Sequence, residues 1–287
     1  MKDGNRAQMG NGHLIINADD LGLSEGANKA VLSACEGGFL KSASICVNGE
    51  KFEEALKNVL PRCPGLDAGV HLNIVEGRAL GGTTSLTDGA GNFNKGFLQV
   101  LLKSGDENFL RDVEGEFRHQ IEGCQKHIKI NHIDSHVHIH AIPAIFRMTV
   151  KLAREYHIPF IRTQHERAYL VPRSKKIVTI KYPVNLLKVG ILNFFTRINR
   201  AAMKDSGLKT NDFIIGVGYT GMMDRDTILY GLGRLEDGCL VEAVMHPNTD
   251  THAGEWKTLL DGELAKNITR LGFQMTNYRD HGGDSRG

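Results

Sequence analysis

The sequence offers no cysteine framework: Cys35, Cys46, Cys63, Cys124 and Cys239 are odd in number, widely scattered and never paired as CxxC. That pattern excludes a disulfide scaffold or a cysteine-based zinc knuckle and fits a reducing, cytoplasmic setting. No stretch approaches 18 uninterrupted apolar residues, so no membrane-spanning helix is expected. Residues 1–13 are polar and rich in glycine, without the apolar segment of a secretory signal, and read as a disordered extension. A charge excess is missing too. Thirty-five Lys and Arg against 33 Asp and Glu leave a formal net charge of +2, which gives no push toward nucleic acid. The one basic run, Arg173-Ser174-Lys175-Lys176, is short and reads as solvated. No internal repeat is visible. Neither GxGxxG nor GxxxxGK[ST] follows the first apolar run, which removes the two commonest nucleotide-binding readings.

What is present is a globular composition, 41% hydrophobic and 24% charged, arranged as alternating strands and helices. Strands are expected at Leu14–Ala18, Ser42–Val47, Ala68–Ile74, Ile130–Ser135, Ile158–Thr163, Asp212–Val217, Cys239–His246 and, weakly, Phe273–Tyr278. Helices are expected after Ser24, over Glu50–Leu60, Asp106–His127, Pro143–Tyr156, Asp224–Leu235 and Trp256–Leu271. Repeated β-α units imply a parallel sheet closed into a barrel, with an open doubly wound sheet as the competing architecture. Two stretches break the alternation. Residues 79–96 form a long Gly/Thr/Asp/Asn loop of the kind that is functional or disordered. Residues 169–210 form an insertion with a basic part and then an amphipathic helix, which either packs on the barrel or meets an apolar substrate. The unit is expected to span residues 14–278, with 279–287 a disordered tail.

In parallel α/β proteins, chemistry gathers at the carboxyl ends of strands. Here those ends carry Asp19-Asp20, His71 with Asn73, the run from His132 to His140, Arg162, and His246 with Asn248. Two adjacent carboxylates ask for a cation or an acid/base role; their bland alternative is capping the helix that starts near Ser24. Strand neighbours point to opposite sides, so one of the pair can bind metal while the other faces the reacting water. Asp20, His71 and His136 come from three strand ends and make a two-His, one-carboxylate set that leaves positions open for water and substrate. His136, His138 and His140 alternate and, in extended chain, would share a face, so all three could ligate. Asp134 would orient a ligand imidazole.

Three ordered motifs, Asn17-Ala18-Asp19-Asp20-Leu21-Gly22-Leu23-Ser24, Gly69-Val70-His71-Leu72-Asn73 and Asp134-Ser135-His136-Val137-His138-Ile139-His140, resemble the YdjC-like carbohydrate deacetylases, among them chitooligosaccharide deacetylases. The stretches 208–212 and 219–223 look closer to the branch of that family associated with hopanoid biosynthesis. The insertion does not match the chitooligosaccharide branch. The resemblance implies a distorted seven-stranded (β/α) barrel related to polysaccharide deacetylases. It implies one divalent ion on Asp20, His71 and His136, with Asp19 as general base, His246 as general acid and Arg162 contacting Asp19. Asn73, His138, His140 and Asn248 are then the candidate substrate contacts. Zinc suits this donor set better than magnesium; cobalt, nickel or manganese could substitute. The expected substrate is an N-acetylated sugar, N-acetylglucosamine in an oligosaccharide or on a hopanoid glycolipid, with peripheral membrane contact in the second case. Oligomeric state stays open, and a homo-oligomer is compatible with the sequence. The rival readings are a metal-dependent amidohydrolase or phosphoesterase and a non-catalytic carbohydrate-binding barrel.

Overall fold

The computed structural model describes residues 12–172, 174, 176, 179 and 181–282. Most of the expected N-terminal extension, the end of the expected tail, and Arg173 and Lys175 of the basic run lie outside them. The central strand β1 (Gly12–Leu21) is longer than its apolar run suggests, because it continues through Asn17 and both aspartates. Helix α1 (Glu25–Gly37) follows, capped by the Ser24 side chain accepting from the Ala27 N–H, and then β2 (Ser42–Ile45). The next helical segment changes pitch: α2 (Phe52–Glu54) passes into a π-turn over Ala55–Val59 and a 3-10 turn over Leu60–Arg62. Strand β3 (Asp67–Leu72) leads into the long loop, which ends in α3 (Phe97–Lys103). Then come α4 (Glu107–Gln125), β4 (His132–Ser135), α5 (Pro143–Glu155), the short β5 (Phe160–Ile161) and α6 (Lys181–Met203). The chain continues through β6 (Phe213–Ile215), α7 (Arg225–Leu232), β7 (Leu240–Met245), α8 (Ala253–Leu259), α9 (Gly262–Arg270), β8 (Phe273–Thr276) and α10 (Tyr278–Gly282). Two expectations are thereby corrected. The single helix over Trp256–Leu271 is two, because the Asp261 side chain caps a new start by accepting from the Glu263 N–H. The expected disordered tail begins instead with α10.

All strand pairs are parallel, in the order β5-β4-β3-β2-β1-β7-β6, with β8 paired to the lower half of β1. Seven strands therefore make the wall and the eighth plugs a gap in it. The ends of the wall, β5 and β6, share no ladder. They are drawn together where the Ile214 N–H donates to the His165 carbonyl, the Ile161 N–H to the Lys209 carbonyl, and the Thr163 N–H to the Asn211 side chain. Hydrocarbon packing lies mainly between this wall and its helices, in one large cluster that includes Leu14, Ile16, Val31, Val70, Phe117, Phe146 and Leu232.

The barrel interior is different, being a polar network. Buried Asn17 accepts from the Ser42 hydroxyl and donates to Ser44 and Asp19, and Ser44 donates to Asp134. His132 lies 2.9 Å from Ser44 Oγ and stacks on Tyr278 of α10 at 3.8 Å between ring centroids. Gly69 makes room for it: a Cβ there would lie 2.2 Å from His132 Nε2. Buried polar groups cost free energy unless partnered, so these registers are fixed by hydrogen bonding as much as by apolar packing.

Candidate active site

The site follows from sheet register. His71 on β3 is directly opposite Asp134 on β4, and its Nδ1–H donates to Asp134 Oδ1 at 2.7 Å. This fixes the tautomer and turns Nε2 toward β1. There the backbone of Asp20 adopts φ 68°, a left-handed conformation that swings its carboxylate away from that of Asp19. Asp20 Oδ1 is consequently 3.4 Å from His71 Nε2 and 2.9 Å from His136 Nδ1. One donor atom from each of Asp20, His71 and His136 lies within 4.8 Å of the other two. His136 Nε2 is held by Glu76 Oε2 at 3.2 Å. The sequence expectation missed Glu76 because it stands in the loop after β3, outside any pattern.

The electrostatics of the cluster favour positive charge. Burial alone would lower the pKa of His71, yet Asp134, Asp19 and Asp20 raise it to about 10. Burial opposes protonation of His136 as well, and Asp20 and Glu76 raise it to about 9. Burial also disfavours an ionised Asp20, but the two imidazoles hold its carboxyl well below the usual range. The carboxylates of Asp19, Asp20, Asp134 and Glu76 together thus favour positive charge on these imidazoles. Two nitrogens and one carboxylate oxygen, converging from rigid strand ends with their outer atoms already bonded, fit a divalent ion.

Asp19 is held apart from this set. Both its oxygens accept from Arg162, at 2.8 and 2.7 Å, and Oδ1 also accepts from Asn17. The buried Arg162 guanidinium additionally meets Glu242 and Asp134 at 2.5 Å each. Asp19, His71 and Asp134 also group closely enough to hold a metal, but this guanidinium bonds two of the three. Glu242 had a sequence signal that went unread, a lone carboxylate in the apolar strand Leu240–Met245. His246 faces Asp19 across the site, with Nε2 3.9 Å from Asp19 Oδ2. Its backbone N–H donates to Glu255 on α8, and burial lowers the pKa of its imidazole despite the nearby aspartates. Burial raises Glu255 to about 7, although the N–H groups of His246, Met223 and Gly221 counter part of that rise.

The four expected substrate contacts separate. Asn248 lines a cleft of about 540 Å³ beside Asp20, His136, His246, Asn48 and His252, with its side chain tied to Ser24 and to the backbone of Asp250 and Thr251. Asn73 is fully buried and spends its amide on Asn48, on the Glu76 carbonyl and on the loop that presents Glu76. His140 is also fully buried, bonded to Ser135 and to the Arg162 carbonyl. Both spend these atoms on the surrounding fold. The run from His136 to His140 is not extended. β4 stops at Ser135, and a 3-10 turn follows in which Val137 and His138 have φ of 45° and 59°. The three histidines consequently do not share a face: His136 enters the site, and His138 is buried with Nδ1 unpartnered.

Comparison with known proteins agrees with the motifs. Residues 13–270 match the YdjC-like protein family. A carbohydrate deacetylase of Thermoanaerobacter pseudethanolicus is 28% identical over 281 residues, covering 93% of this chain and 98% of that protein. One from Brevibacillus brevis is 38% identical over 148 residues, 51% of this chain and 57% of its own length. A chitooligosaccharide deacetylase of Enterobacter is 34% identical over 143 residues, 49% and 55% of the two chains. The chain thus spans little more than half the length of the last two and nearly all of the first. Among solved structures, a proposed cellobiose-phosphate cleavage protein of Enterococcus faecalis V583 superposes with a TM-score of 0.72 at 22% identity, over 95% of this chain and all of that one. An uncharacterized protein of Agrobacterium tumefaciens C58 gives 0.51 at 11% identity over 98% and 92%. These two likenesses bear on the fold, and the aligned sequences on kinship: the chain belongs to the YdjC-like protein family.

Proposed function

We propose that the protein is a carbohydrate deacetylase that uses one divalent ion to hydrolyse the acetamide of an N-acetylated sugar. The enzyme class follows the carbohydrate deacetylase to which nearly the whole chain aligns. The observation that carries the metal is the convergence of Asp20, His71 and His136 with Asp19 and His246 on either side. Zinc fits two imidazoles and a carboxylate best; magnesium, with its preference for oxygen, fits least, and cobalt, nickel or manganese could substitute. Bound there, the ion supplies Lewis-acid chemistry, drawing electrons from the acetamide carbonyl and acidifying water. The chain supplies the rest. Asp19, oriented by the Arg162 fork, accepts the proton of the attacking water. His246, in its protonated form beside the Asp19 carboxylate, delivers a proton from Nε2 to the departing amine nitrogen and is left neutral. Acetate and an amino sugar are the products. Arg162 already neutralises the second acidic group, which speaks against a two-metal phosphoesterase. The sugar is N-acetylglucosamine in an oligosaccharide or on a hopanoid glycolipid, the catalytic unit spans residues 14–278, and the reaction belongs in the cytoplasm.

The test is acetate release and loss of one acetyl mass from di-N-acetylchitobiose and from an N-acetylglucosaminyl lipid, alongside measured metal content. Asp19→Asn should keep its metal and lose roughly 10²–10⁴-fold in kcat. His71→Ala should lose the metal. Full turnover by chelator-treated protein, or equal metal content in wild type and His71→Ala, overturns the reading.

A further inference from the structure

Ten large hydrophobic side chains are exposed among the described residues, and six of them lie on two neighbouring helices: Leu98 and Leu102 on α3, and Val184, Leu187, Phe194 and Ile198 on α6. Leu102, Leu187 and Phe194 are 84%, 68% and 61% exposed. The α6 residues recur at intervals of three, seven and four, one stripe along a helix whose opposite face buries Tyr182, Val189, Leu192 and Phe195. Both helices border one buried apolar cluster: Val189 and Leu192 of α6 belong to it together with Ala141, and Phe97 of α3 packs on it. Ala141 ends the turn that begins at His136, so the buried side of α6 packs on the turn that carries His136, and Val137 in that same turn is exposed.

Charge on the α6 part of this surface is one-sided. Between Arg167 and Lys204 the sequence has nine Lys and Arg and no Asp or Glu; as the whole chain is +2, the remainder carries −7. Arg167 and Lys176 are paired with Glu236 and Asp224. Lys181, Arg197, Arg200 and Lys204 are exposed. A helix without acidic residues, apolar along its outer face and flanked by lysine and arginine, is built to lie in the headgroup layer of an anionic bilayer, with its basic side chains reaching the phosphates. A second copy of the chain is a poorer occupant, because a two-fold contact would set the two basic segments against each other.

We propose that α3 and α6 form a docking surface for anionic membranes that brings the barrel mouth to the bilayer face. Among the described residues no helix is long and apolar enough to cross a membrane, and the contact proposed is peripheral. The surface stands on its own observations; only its consequence, that the deacetylase would act on sugars presented by lipid, rests on the function proposed above.

The experiment is co-sedimentation of the metal-loaded protein with vesicles of phosphatidylcholine alone and with a third phosphatidylglycerol. Wild type should pellet with the anionic vesicles, and binding should weaken severalfold at high salt. Leu187→Glu/Phe194→Glu should weaken it by about tenfold or more, with an unchanged circular dichroism spectrum and unchanged acetate release from soluble di-N-acetylchitobiose. Failure of wild type to pellet, equal binding by the variant, or a wild-type dimer in sedimentation equilibrium that the variant dissociates would each overturn the proposal. Vesicle binding without acetate release from any substrate would instead defeat the deacetylase reading and leave the docking surface intact.

Discussion

Replacing Arg162 by methionine tests how the barrel interior is held together. Arg162 is fully buried and bonds the equally buried Asp19, Asp134 and Glu242. Methionine keeps much of the volume and removes the only guanidinium in the group. Taking one partner from a buried ion pair costs about 3–5 kcal/mol, because the remaining charge is left without compensation. Three carboxylates are stranded here, but burial already raises Glu242 to about 7, so it can take up a proton at little cost near neutral pH. The loss falls mainly on the two aspartates and should stay within that range, a fall in Tm of roughly 10 °C. Calorimetry and urea unfolding of wild type, Arg162→Met, Glu242→Gln and the double variant form the assay. The arginine deletion should cost less in the Glu242→Gln background, with a coupling of about 0.5–3 kcal/mol. A loss below about 1 kcal/mol, or strictly additive effects, would refute the idea that one guanidinium neutralises this cluster.

Burial holds the His132 imidazole down to about 4, against an ordinary value near 6.5. The unfolded chain therefore binds more protons between those values, and stability contributed by neutral His132 is present above about pH 6.5 and lost as pH falls toward 4. The stability advantage of wild type over His132→Phe should accordingly shrink by about 3 kcal/mol between pH 7 and pH 4, and urea titrations showing a pH-independent difference would contradict this. Val137 is β-branched with φ 45°, a costly backbone conformation. Val137→Asn should raise stability by about 1 kcal/mol without changing metal content, and thermal unfolding beside elemental analysis checks both. Asp261→Ala removes the cap of α9 and should cost about 1 kcal/mol; an unchanged urea midpoint would show that the cap is idle.

The β-α alternation and the polar strand ends were legible because buried strands are continuous apolar runs and site residues interrupt them at their carboxyl ends. Tertiary contacts defeated the pattern elsewhere. His132 to His140 alternates as a strand should, yet the Ser135 hydroxyl bonds both the backbone and the ring of His140 and closes a turn no periodicity encodes. The break between α8 and α9 hides because helical spacing continues through it, with the Asp261-Gly262 dipeptide as its local sign. Helix α3 stands just after the expected loop, between expected elements, although Gln99 bonds back to the Gly96 N–H as a capping side chain does. Glu76 and Glu255 reach the site from segments with no motif, so only the folded chain identifies them.

The seam between β5 and β6 has a consequence for how such a protein changes. Because that part of the wall is closed by scattered side-chain and carbonyl bonds, the chain is free to leave the barrel there, build α6 and return without interrupting a strand ladder. Asp20, His71 and His136 stand on β1, on β3 and in the turn after β4, outside that excursion. Rewriting that single excursion can redirect what the protein touches while the chemistry beneath it stays as it was.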